Sequence, residues 1–264
     1  MDDSAALRLV CLPYAGGGTA SYHRWRPVMP KDVDLLPLAL PGHDGRLNLP
    51  LSTDLLELAD SLREELSVHA LDRPFAILGH SMGGLLAFEI VRSLRRHNQS
   101  LPRLMVLTAC WPPHTIVIKE PMHKLPDAEL VDTLQQRYGG IPAVVRDNPE
   151  LQKLLLPALR ADMEMIETYS YGDEPPLDVP LLAMGGTDDP AISASHLQEW
   201  QRHTTRECDV RLLPGGHFFL FAGGGATVSP QAGRTEEPTP ALRVILSRLE
   251  KCIATDSANG GTTA

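Results

Sequence analysis

The run from Phe75 to Phe88 constrains this chain more than any other stretch. It reads Phe75-Ala76-Ile77-Leu78-Gly79-His80-Ser81-Met82-Gly83-Gly84-Leu85-Leu86-Ala87-Phe88. An apolar segment of strand type ends in G-x-S-x-G, and an amphipathic helix begins at once. A chance match to that pattern would seldom fall between a buried strand and a helix. The pattern therefore predicts a sharp strand-to-helix turn that lifts Ser81 Oγ above the sheet edge. The flanking glycines are needed because neighbouring backbone comes too close for a Cβ. The turn also aims the Met82 amide, at the positively polarised start of the helix, towards the space beside the serine.

Composition limits what surrounds that turn. At 264 residues the chain can bury the core of one sizeable α/β domain, and a formal net charge of −9 without a basic cluster argues against nucleic acid. Met1-Asp2-Asp3-Ser4 leads directly towards a strand, so no secretory signal is expected, and no apolar run approaches membrane-spanning length. Cys11, Cys110, Cys208 and Cys252 form no C-x-x-C pair and read as reduced thiols of a cytoplasmic protein. The ten histidines show no metal-ligand spacing, so no metal site is expected.

Read in order, the chain alternates between strand and helix and then stops. An apolar strand ends at Pro13 and is followed by Tyr14-Ala15-Gly16-Gly17-Gly18-Thr19, which lacks both G-x-G-x-x-G and a P-loop lysine. The better reading is a loop whose small residues let a backbone amide face the nucleophile across the site. A short helix over 21–29 with Trp25 inside, a strand over 33–40, and a helix capped near Thr53 and Asp54 follow. In the loop Pro41-Gly42-His43-Asp44-Gly45-Arg46, Arg46 reads as a solvated side chain ahead of a substrate contact. After the strand ending at Ala109, residues 111–176 hold helices and no clear buried strand. The longest helix carries Leu151, Leu155, Leu159, Met163 and Ile166 on one stripe, with Pro157 expected to bend it. Strands resume at Leu181. The expected organisation is a mostly parallel sheet core in two parts, 1–110 and 177–264, flanked by helices and interrupted by a helical lid at 111–176. Residues 222–240, rich in Gly, Pro, Thr and Ser, read as a flexible loop.

A serine hydroxyl is a poor nucleophile at neutral pH and requires a base that is itself oriented by an acid. The loops after the later strands supply both, in the order Ser81, Asp189, His217. That serine–acid–histidine order is the one found in α/β-hydrolases. Asp188 and Asp189 compete for the acid's role. Asp189 is preferred because G-x-x-D-P starting at Gly186 is the usual acid-loop spacing of that superfamily. His80 stands at the wrong position for the base and reads as structural.

Taken together, Leu12-Pro13-Tyr14-Ala15-Gly16-Gly17, Gly79-His80-Ser81-Met82-Gly83-Gly84, Tyr138-Gly139-Gly140-Ile141-Pro142, Leu156-Pro157-Ala158-Leu159-Arg160-Ala161-Asp162 and Gly215-Gly216-His217-Phe218-Phe219 resemble the type II (external) thioesterases of polyketide and nonribosomal peptide pathways. The match runs over about residues 8–221. It implies an α/β-hydrolase fold and hydrolysis of acyl groups from the phosphopantetheine thiol of acyl or peptidyl carrier proteins. Ser81, His217 and Asp189 would form the catalytic triad, with the Ala15 and Met82 amides as the oxyanion hole. No cofactor, metal, nucleic acid or membrane would take part, and the enzyme is expected to act as a cytoplasmic monomer. There are two departures: His43 stands where the family usually has arginine, and the glycine-rich stretch after Phe221 looks like an insertion. The rival readings are a general carboxylesterase or lipase, and a non-catalytic binding protein of the same fold. A malonyl or acyl transferase shares G-H-S-x-G but carries an early G-Q-G motif that is missing here.

Overall fold

The computed structural model describes residues 5–221 and 237–259. Six strands form one sheet in the order β2-β1-β3-β4-β5-β6. They are β1 (Leu7–Leu12), β2 (Val33–Pro37), β3 (Phe75–His80), β4 (Leu104–Thr108), β5 (Leu181–Gly186) and β6 (Cys208–Leu213). Every pairing is parallel. Parallel strands need covered faces, and β1, β3, β4 and β5 are buried along their whole length.

Alternate residues feed the two faces. Val10, Leu12, Ile77, Met105 and Leu107 pack with α2 (Leu55–His69) and α3 (Met82–Arg96). Leu9, Cys11, Leu78, Val106 and Leu182 pack on the other side with Tyr22 of α1 (Ala20–His23), Trp25, and the final helix (Pro240–Asn259). The helix expected over 21–29 divides at Arg24 into α1 and a 3₁₀ turn over Arg26–Val28, with Trp25 buried as expected. Asp54 alone supplies the α2 cap, accepting from the amides of Leu56 and Glu57 at 2.9 Å each.

Between β4 and β5 no strand occurs among the described residues. The chain instead forms α4 (Asp127–Arg137), α5 (Ala143–Arg146) and α6 (Pro149–Thr168). Its return is fastened to α3: Tyr169 Oη donates to Glu89 Oε1 at 2.6 Å, and Arg92 pairs with the same oxygen at 2.5 Å. A short helix, α7 (Ala194–Gln198), precedes β6, and the final helix is α8. The segment expected to be a flexible loop, 222–240, falls almost entirely outside the described residues. No helix among the described residues is long and apolar enough to cross a membrane.

The chain leaves β1 in one direction along the sheet to reach β2, and crosses back over it to β3. Sheets of this kind bind ligands in the crevice at such a reversal, outside the carboxyl ends of the strands. The glycine-rich loop follows β1 and the serine turn follows β3, so both open into that crevice. A Cβ at Gly83 would run into the carbonyls of Leu12 and Pro13, which are backbone and cannot yield. Gly83→Ala is therefore expected to unfold at clearly lower denaturant concentration than the parent, by more than the roughly 1 kcal/mol that glycine-to-alanine exchanges normally move stability.

Candidate active site

Ser81 has φ 54° and ψ −118°, in the region where only glycine is at ease. Such a conformation costs on the order of 1–3 kcal/mol and persists only when its surroundings over-determine it. Here the Ser81 amide donates to the Thr108 carbonyl at 2.8 Å, and its own carbonyl accepts from Gly84 at 2.9 Å. The strand on one side and the helix on the other hold the turn.

The three side chains named from sequence meet across the carboxyl ends of β3, β5 and β6. His217 Nδ1 lies 2.8 Å from Asp189 Oδ2, and His217 Nε2 lies 3.0 Å from Ser81 Oγ. A carboxylate only accepts, so Nδ1 carries the proton and Nε2 faces the serine hydroxyl with its lone pair. Asp189 is buried, and its second oxygen accepts from the Ala191 amide at 2.9 Å. Asp188 is exposed and meets the Thr187 hydroxyl. Asp189, the aspartate preferred from sequence, is thus the one that meets His217.

His80 lies behind this line, fully buried. The Thr108 hydroxyl donates to the Gly79 carbonyl at 3.2 Å, leaving its oxygen to accept from His80 Nδ1 at 2.8 Å. Burial first, and then the nearby His217, hold the His80 pKa well below the ordinary histidine range, so it stays neutral. The His217 ring is boxed by Tyr138 at 4.8 Å and by Phe218 and His80 at 5.3 and 5.4 Å between ring centroids.

Ser81, Met82, Ala15 and His217 line a cavity of about 1010 Å³. The helices between β4 and β5 form its far wall, with Val131 and Leu134 from α4 and Leu156, Leu159, Met163 and Ile166 from α6. Of the expected α6 stripe, Leu155, Leu159, Met163 and Ile166 line this cavity. Leu155 is nonetheless 46% exposed, and the buried residues of α6 are Leu156, Ala161, Asp162, Met163 and Met165. Cys110 also lines the cavity, but burial pushes its thiol far above the usual range, so it offers no thiolate.

Two loop residues behave differently from their reading in sequence. Arg46 is not simply solvated: it pairs with Glu65 at 2.7 Å and donates to the Ala39 carbonyl at 2.9 Å. His43 is buried and lies 2.9 Å from Asp162 Oδ2, an oxygen that also accepts the Gly16 amide at 2.7 Å. Periodicity gave no hint of this contact. The only signal was a carboxylate in the middle of an otherwise apolar helix face.

A family model described as a thioesterase domain matches residues 7–229. The chain belongs to the thioesterase family. Among its relatives, the gramicidin S biosynthesis protein GrsT of Aneurinibacillus migulanus is 35% identical, over 84% of this chain and 86% of that one. The thioesterase PikA5 of Streptomyces venezuelae is 30% identical, over 82% and 76% of the respective chains. Among solved structures, the thioesterase RedJ from the prodiginine pathway of Streptomyces coelicolor superposes with a TM-score of 0.82 at 31% identity, covering 94% of this chain and 91% of that one. The thioesterase has the α/β-hydrolase fold and is a thioester hydrolase of the serine hydrolase type.

Proposed function

We propose that this thioesterase releases acyl groups from the phosphopantetheine thiol of acyl or peptidyl carrier proteins, through an acyl-enzyme on Ser81. The observation that carries the reading is the line from Asp189 through His217 to Ser81, opening into a large, mainly apolar cavity. His217 Nε2 takes the Ser81 proton as Oγ attacks the thioester carbonyl. Asp189 holds the tautomer and stabilises the imidazolium that forms. The Ala15 amide and the Met82 amide, the latter free of any intrahelical acceptor at the start of α3, hold the oxyanion. The imidazolium returns its proton to the departing thiolate. The histidine then draws a proton from water as the water oxygen attacks the acyl-serine. The bond from the acyl carbon to Ser81 Oγ breaks, the imidazolium returns the proton to Oγ, and the acid leaves. The relatives' place in gramicidin S and prodiginine biosynthesis supports an editing role, clearing acyl chains that stall assembly. We place the enzyme in the cytoplasm, acting as a single chain.

The test is hydrolysis across a panel of acyl-loaded carrier proteins, with the matching acyl-pantetheine thioesters and oxyesters alongside. The expected result is faster turnover of the carrier-bound thioesters. Equal or faster turnover of the oxyesters would favour a general carboxylesterase.

The block at 111–176 serves as the lid over this cavity and sets acyl choice without doing chemistry. Leu134→Trp, which fills the cavity wall on α4, is expected to depress turnover of long acyl groups relative to acetyl by about 10- to 200-fold. Paired rate measurements on acetyl and octanoyl thioesters check this. An unchanged ratio would move acyl selection to the sheet-side wall at Leu85 and Ala109.

A further inference from the structure

The loop after β2 takes no part in the proton relay, yet it carries a buried histidine. His43 lies between two groups that can only accept: Nδ1 is 2.9 Å from the Pro41 carbonyl oxygen, and Nε2 is 2.9 Å from Asp162 Oδ2. A neutral imidazole has one N–H, so keeping both bonds requires the imidazolium, facing a carboxylate that is itself 2% exposed. Burial opposes that charge. The Asp162 hydrogen bond and charge, with help from the Pro41 carbonyl and Asp44, outweigh it and raise the His43 pKa above its ordinary value.

The same Asp162 oxygen accepts the Gly16 amide at 2.7 Å, and Asp44 Oδ2 accepts the Thr19 amide at 2.7 Å. The glycine-rich loop is thus gripped by two acidic side chains, one of them from α6. Contact with α6 is close there. Gly16 has φ +70°, and a Cβ on it would meet Leu159 Cδ1 at 2.9 Å.

We propose that Asp162, paired with and oriented by His43, is a positioning residue that fixes the Gly16 amide, so that the adjoining Ala15 amide faces Ser81 and the seating of α6 assembles the oxyanion site. This rests on the reading of Ala15 as an oxyanion donor. The charged groups facing His43 are Asp162 from α6 and Asp44 from its own loop. A histidine whose folded pKa is raised contributes fully below its unfolded pKa, and the contribution is lost as pH rises through the folded value. Above that value one of the two His43 bonds is lost and Asp162 no longer faces a positive charge. kcat then falls on the alkaline side while KM holds.

The experiment measures kcat and KM against pH for the full chain on an acyl-pantetheine thioester, with Asp162→Asn, His43→Arg and Ser81→Ala alongside. Arginine keeps its charge and donors across the range. The expected results are an alkaline limb in the parent that His43→Arg removes, and a kcat for Asp162→Asn lower by on the order of 10²-fold with KM changed by no more than about threefold. An undiminished kcat in folded Asp162→Asn, an alkaline limb unmoved in His43→Arg, or no alkaline limb in the parent would each overturn the proposal. Either variant decides alone if the other fails to fold. Hydrolysis by Ser81→Ala would overturn the underlying site reading. An inactive Ser81→Ala beside an undiminished Asp162→Asn would overturn only the positioning role.

Discussion

Ser81→Ala is expected to reduce thioester turnover by about 10⁶-fold in kcat, since a serine nucleophile removed from such a constellation leaves only binding and oxyanion contacts. The same variant should fold as the parent does. The strained backbone at 81 is held by main-chain bonds to Thr108 and Gly84 that do not involve the side chain. Alanine leaves His217 Nε2 without its serine partner, in a cavity open enough to admit water. Steady-state kinetics beside a thermal melt check both halves. Retention of even a hundredth of the parent rate, with the fold intact, would remove Ser81 from the mechanism.

Asp189→Asn is expected to lower kcat by on the order of 10⁴-fold, because an amide can turn its NH₂ towards His217 and select the tautomer whose Nε2 already carries a proton. That tautomer cannot accept from Ser81. The neighbouring Asp188→Asn should change kcat by no more than about threefold, as expected for an exposed side chain away from the relay. Comparing the two is sharper than either alone, since the residues are adjacent and differ chiefly in burial and direction. Equal losses would mean that the negative charge near the site matters and the 2.8 Å bond from His217 does not.

The parts of the site legible in the sequence are those whose signal is local. Gly79, Ser81 and Gly83 sit within five consecutive residues, between a strand and a helix that each announce themselves by periodicity. Asp189 and His217 each follow a strand, so knowing the strands was enough to bring both to the serine's edge of the sheet. Asp162 had no such signal. Its partners His43 and Gly16 are 119 and 146 residues away in sequence, and only the path of the block between β4 and β5 brings them together. The stripe on α6 was legible for the same kind of reason as the serine turn, since its period is local. A helix that roofs a cavity has one apolar side towards its neighbours and another towards the cavity. Leu155, Leu159, Met163 and Ile166 of the expected stripe line the cavity, while the buried Ala161 and Met165 lie off that stripe. Arg46 reads as solvated because a polar loop residue usually is, whereas its contacts with Glu65 and the Ala39 carbonyl depend on chain paths that no local pattern reports.

Trapping the covalent intermediate tests the central claim most directly. An octanoyl-pantetheine thioester mixed with the enzyme and quenched in acid within milliseconds should give protein heavier by one octanoyl group less a hydrogen. Peptide mapping should place it on the fragment that holds Ser81. Octanoyl found on Cys110 or another side chain, or hydrolysis that proceeds with no acyl-enzyme in the presteady state, would contradict the account.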